Sequence, residues 1–97
     1  MNITDIKILL VNEERLKAYV SIIFDNCFIV KDLKIIQGPS NLFVAMPSKK
    51  LKDNSFKDIA HPLNKESRLA IEKLIFEEYK KTLQSINQSL DQITEEK

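Results

Sequence analysis

Three lysines fall within four positions, Lys49, Lys50 and Lys52, and Lys57, Lys65 and Arg68 follow shortly after. Ammonium and guanidinium groups at that density are suited to phosphate. Such contacts hold a nucleic-acid backbone in register without reading its bases. Residues 49–68 carry six basic side chains against Asp53, Asp58 and Glu66, a local net charge of +3, although the whole chain is only +1. A local patch attracts anions even when the net charge is near zero. Elsewhere the balance is flat: five basic and five acidic residues in 1–48, three and three in 69–83, and one lysine against three acids in the last fourteen. The cluster also has a plainer reading. Lysines beside a strand keep its edge from pairing with another chain. Composition and spacing leave both readings open.

Other chemistry is sparse. A catalytic base needs an orienting partner and a nucleophile within reach. The one histidine, His61, stands beside Pro62 and reads as a ring that satisfies local backbone groups. Asp58 is near it in sequence, but the one cysteine, Cys27, falls in an expected hairpin. One His and one Cys far apart make no zinc site, and a single glycine excludes a glycine-rich phosphate loop. Glu13-Glu14, Glu77-Glu78 and Glu95-Glu96 read as solvated surface charge. These features predict no enzyme, no cofactor, no metal and no small-molecule substrate. Tyr19 and Phe43 could stack bases, but with aromatics at only 7% and no tryptophan, core packing is the preferred reading for both. Met46 also reads as core. No basic region followed by an apolar block opens the sequence, so no signal peptide is expected, and no run approaches the roughly 20 apolar residues of a membrane span. The expectation is a soluble, cytoplasmic protein.

The elements that must position the basic cluster are short strands followed by a helix. Residues 3–11 alternate and then turn apolar, with Ile6, Ile8 and Leu10 on one face. In residues 16–25, Leu16, Ala18, Val20, Ile22 and Phe24 point one way and Lys17, Tyr19, Ser21, Ile23 and Asp25 the other. Asp25-Asn26 is a tight-turn pair, because both residues tolerate positive φ. Residues 27–36 form the third strand, Gly38-Pro39 a turn, and 42–46 the fourth strand. Pro47 has no N–H and should end sheet pairing. The basic segment is then expected as a loop, with Asp53-Asn54-Ser55 as its turn and Phe56 and Ile59 returning to the core. Four consecutive strands with short connections favour an antiparallel meander.

Asn64 is the expected N-cap of the helix, accepting a bond from the backbone of Glu66 or Ser67. No Gly or Pro follows Lys65. Ile71, Leu74, Ile75 and Glu78 share one stripe, while Phe76, Tyr79, Leu83, Ile86, Leu90 and Ile93 recur at heptad-like spacing. The pattern is short for a coiled coil, and Ser85, Asn87, Gln88 and Ser89 are poor helix formers. A helix on the sheet with a helical or frayed tail over 84–97 fits best. Ninety-seven residues make one small domain, for which a shared core in a dimer is a natural remedy. Leu9 and Val11 on the first strand, and Ile29, Leu33 and Ile35 on the third, put apolar residues on a second sheet face.

The stretch LFVAMPSK, residues 42–49, followed by FKDIAHPLN, residues 56–64, resembles the signature of the SpoVG family of small bacterial septation and regulatory proteins. Residue order and gap both agree, and the best matches are Met46, Pro47, Ser48, Lys49, Asp58, Ile59, Ala60, His61 and Pro62. Where relatives tend to continue with a Lys or Arg pair and Thr-Pro, this chain has Lys50-Leu51-Lys52, which keeps the charge and loses the proline. The resemblance covers about residues 1–85. It implies an α+β domain over 1–83: a four-stranded antiparallel sheet followed by a long C-terminal helix, dimeric through the sheet. It further implies DNA and RNA binding with roles in gene regulation, septation, cell division or sporulation. On that footing Lys49, Lys50 and Lys52, supported by Lys57, Lys65 and Arg68, are the expected nucleic-acid contacts. The alternative is an adaptor that recruits a protein partner through its helix and tail.

Overall fold

The computed structural model describes residues 2–11 and 13–95, with side chains up to Ile86. Strands β1 (Ile3–Leu10), β2 (Leu16–Phe24), β3 (Phe28–Gln37) and β4 (Leu42–Ala45) form one sheet in the order β1-β2-β3-β4. Every neighbouring pair is antiparallel, as a meander requires. Two short strands, β5 (Ser48–Lys50) and β6 (Phe56–Asp58), form a second sheet. Helix α1 (Lys65–Glu95) closes the fold. The architecture is the expected α+β meander followed by one helix.

The alternation of β2 decides which face is inside. Ala18, Val20 and Ile22 are buried, while Tyr19 between them is exposed. Cross-strand register stacks Ile6 on Ile22, Ile8 on Val20 and Leu10 on Ala18 from one side. From the other side it stacks Leu33 on Val20, Ile35 on Ala18, and Val44 on Ile35. Helix α1 lays the fully buried Ile75, together with Tyr79, on this surface. Each large apolar side chain buried here is worth about 1.5–3 kcal/mol.

One irregularity changes which residues reach that core. Ser21 alone separates Val20 from Ile22, but both Lys31 and Asp32 separate Val30 from Leu33 on the paired strand. The extra residue is a β-bulge, and Asp32 takes φ 69°. The bulge shifts the phase of β3 by one residue. Val30 and Leu33, three apart, therefore both face α1, and Leu33 and Ile35 are core residues at 1% and 0% exposure. The expectation that they line the helix-free face with Ile29 is corrected; only Ile29 stays there.

The turns follow the local chemistry. Asp25 and Asn26 sit at φ 50° and 54°, and the Cys27 amide donates to the Phe24 carbonyl at 3.0 Å. Two consecutive positive φ values are the mark of a type I′ hairpin. Strand β4 ends before Pro47, and Met46 is buried as expected. At the helix entry, Asn64 Oδ1 accepts the Ser67 amide at 2.7 Å, which makes Asn64 the N-cap. Thirty-one helical residues span roughly 46 Å, longer than any strand of the sheet. Leu83 and Ile86 are partly exposed on α1, and the side chains of Leu90 and Ile93 lie outside the described residues.

Candidate nucleic-acid interface

The basic segment is not a loop. It is a two-stranded antiparallel ribbon in which Ser48 pairs with Asp58, Lys49 with Lys57, and Lys50 with Phe56. Pro47 ends the large sheet, but its carbonyl accepts the Ile59 amide at 2.7 Å and so closes the base of the ribbon. At the tip, Leu51 N–H donates to Ser55 O at 2.8 Å and Asn54 N–H to Leu51 O at 3.0 Å. Lys52, Asp53 and Asn54 form the three-residue connection, with Asn54 at φ 70°. This is the type I turn plus left-handed residue that three-residue hairpins use. The Asp53 carboxylate accepts the Ser55 hydroxyl at 2.6 Å and the Ser55 amide at 3.0 Å. Those two bonds favour the charged form and hold its pKa below the usual carboxylate value.

All six residues of β5 and β6 are exposed. Strand alternation puts Lys49 and Lys57 on one face of the ribbon and Lys50 on the other, with Lys52 in the turn. Like charges directly opposite one another oppose pairing, so the Lys49–Lys57 pair is a local cost. Among the described residues the one ion pair within 4 Å joins Arg68 Nη1 to Glu72 Oε1 at 4.0 Å. Lys65 and Arg68 belong to the first turns of α1, separate from the ribbon, and Arg68 has Glu72 beside it. The lysines thus gather on the ribbon and its tip, while Lys65 and Arg68 stand on another element.

Phe56 and Ile59 do not return to the core: they are 71% and 67% exposed. A ribbon three residues long, lying apart from the sheet, has nothing to bury them against. Met46, Pro47, Ala60, His61 and Pro62 instead line an apolar cleft of about 260 Å³, facing Phe24 and Phe28 of the β2–β3 hairpin. These five motif residues flank the base of the ribbon, and Met46 among them is part of the buried core. His61 Nδ1 donates to the Pro62 carbonyl at 2.8 Å, a local backbone role. Among the described residues no three His, Cys, Asp or Glu side chains converge to hold a metal ion. No helix among them is long and apolar enough to cross a membrane.

Tyr19 and Phe43 are not core residues either. They are 38% and 41% exposed on the sheet face opposite α1. The alternation of β2 contained that signal for Tyr19, which is out of phase with Ala18 and Val20.

Comparison with known proteins agrees with the double motif. The SpoVG family model matches residues 1–81. A protein of Bdellovibrio bacteriovorus named "Putative septation protein SpoVG" is 61% identical over 97 residues, covering 100% of this chain and 90% of its own. Proteins of the same name from Myxococcus xanthus and Caldicellulosiruptor bescii are 53% identical over 83 residues and 52% over 80. These matches cover 86% and 81% of this chain, and 84% and 91% of the respective relatives. With its meander, its closing helix and its motif residues on either side of the base of a basic ribbon, the chain belongs to the SpoVG family.

Proposed function

We propose that this chain is a nucleic-acid-binding regulatory protein that acts in gene regulation or septation. Its relatives are named for septation. The observation that carries the binding reading is the ribbon: Lys49, Lys50 and Lys57 on exposed strands and Lys52 in the turn, with Lys49 set directly against Lys57. The repulsion in that pair is relieved when an anion sits between the two ammonium groups. The major groove of DNA admits a two-stranded ribbon, and lysines on its two faces then meet phosphates on both walls. Lys65 and Arg68 contribute from the helix start, where backbone amides also favour anions. Such contacts position the protein without reading sequence, so DNA and RNA are both partners. No cofactor, small-molecule substrate or membrane enters this reading, and its setting is the cytoplasm.

The protein acts as a homodimer in this account. The meander leaves β1 and β4 as open edges, and edge-to-edge pairing across a two-fold axis would close one of them. The test is a gel-shift series at several salt concentrations with wild-type protein and the Lys49→Ala/Lys50→Ala/Lys52→Ala variant. A dimer of the variant leaves about six phosphates unneutralised, which lowers the log–log salt slope by about five, at about 0.9 per phosphate. Unchanged affinity and slope in a folded dimer favour the helix-and-tail adaptor instead.

A further inference from the structure

Helix α1 covers one face of the large sheet and leaves the other bare. On the bare face Leu9 is 67% exposed, Ile29 43%, Phe43 41% and Tyr19 38%. Register sets these residues among lysines. Leu9, Tyr19, Lys34 and Ala45 form one cross-strand row, and Ile36 pairs with Phe43 beside it. Lys7 lies opposite Ser21, and the bulge turns Lys31 toward the same shallow depression that Lys7, Leu9 and Tyr19 line. Lys7, Lys31 and Lys34 outnumber Asp5 and Asp32 on this face. A ring among lysines suits a polyanion with flat aromatic groups.

From these positions we infer that the bare sheet face binds single-stranded nucleic acid. Tyr19 and Phe43 each stack a base, and Lys7, Lys31 and Lys34 hold the phosphates. The inference rests on the nucleic-acid reading above and adds a second surface to it. Tyr19 on β2 and Phe43 on β4 are two strands apart, so about 10 Å across the sheet and about 7 Å along it. At that separation they serve two different bases. Gly38 makes room for the second platform: a Cβ there would stand 3.3 Å from Phe43 Cδ1 and Cε1. A duplex keeps its base faces stacked inside, whereas single strands present them to aromatic side chains. With three lysines against two aspartates the face is net positive, which repels a second copy of itself and attracts a polyanion, so charge favours the polyanion over self-association.

The test uses the full chain with a fluorescein-labelled oligo-dT or oligo-rU and a duplex of matched length, read by anisotropy at fixed salt. Tyr19→Leu/Phe43→Leu keeps apolar bulk and removes both rings. It is expected to weaken single-strand binding about tenfold or more and to leave duplex binding unchanged. Tyr19→Phe, which keeps a ring, is expected to bind single strands as wild type does. Tyrosine emission of the unmutated protein gives an independent readout: there is no tryptophan, and the second tyrosine, Tyr79, is buried. Single strands should quench Tyr19 and duplex should not. Unchanged single-strand affinity in the double variant, or no quenching at saturation, overturns the proposal. If duplex binding still falls in the Lys49→Ala/Lys50→Ala/Lys52→Ala variant, the ribbon reading survives that failure. If wild type binds neither probe, both readings fall. A double variant that loses self-association in sedimentation while single-strand binding is unchanged makes this face a contact between copies and overturns the proposal.

Discussion

The Lys49–Lys57 pair allows binding and stability to be moved in opposite directions. An ordinary solvated ribbon gains from losing two like charges set opposite one another, since such pairs are unfavourable. A phosphate-binding ribbon loses its function by the same change. In Lys49→Ala/Lys57→Ala, about two phosphates per chain go unneutralised, and the log–log salt slope falls by about 1.8 per chain. If the wild-type and variant lines meet near about 1 M salt, affinity at about 0.1 M falls about 60-fold per chain engaged. Melting followed by circular dichroism should show Tm unchanged or slightly raised. Fluorescence anisotropy with a duplex at four or more salt concentrations gives the slope. Loss of affinity with an unchanged slope would refute the reasoning, because it would come from altered shape rather than from fewer neutralised phosphates. So would a wild-type slope accompanied by wild-type affinity.

Other consequences follow from single residues. Leu33→Ala should cost about 2–5 kcal/mol in chemical denaturation, whereas Ile29→Ala, four residues earlier but on the bare face, should cost under about 1 kcal/mol; equal costs would mean that the bulge does not turn Leu33 inward. Asn64→Ala removes the bond to the Ser67 amide and should cost about 1 kcal/mol, read as a Tm lower by about 4–8 °C. The Asp53 carboxyl has its folded pKa held below 3.8 by Ser55. Its contribution to turn order is therefore fully present above 3.8 and is lost as pH falls through the lowered value. An NMR pH titration should place the Asp53 midpoint below that of an unfolded peptide, and Ser55→Ala should raise it.

The large sheet was legible because its residues obey one rule each. Alternation in β2 assigned Ala18, Val20 and Ile22 inward, and positive-φ tolerance assigned Asp25 and Asn26 to the hairpin. Asn64 was visible as a cap from its side chain and its place before an uninterrupted helical run. The bulge was not legible, since an aspartate inside a strand announces a left-handed residue only weakly, and the two-residue period simply runs through it. Leu33 and Ile35 were therefore assigned to the wrong face. The ribbon was hidden for a different reason. Three-residue strands rich in lysine carry no apolar alternation, and Pro47 marks the end of one sheet without showing that another begins. Once the ribbon stands apart, Phe56 and Ile59 have no core to return to. The basic residues were found by charge density alone, but which faces they share was not, because that depends on the register of Lys49 with Lys57. Tyr19 and Phe43 were misread because aromatic residues in an apolar run favour a core reading, although phase alone places Tyr19 outside.

On the proposed reading, this protein meets a nucleic-acid backbone on the β5–β6 ribbon. The most direct measurement is an NMR titration of ¹⁵N-labelled full-length protein with a short duplex, followed by amide shifts. The largest changes are expected on residues 48–58, with smaller ones at 64–68, and added salt should reverse them. Changes confined to the exposed length of α1, or no changes at saturating duplex, would contradict it.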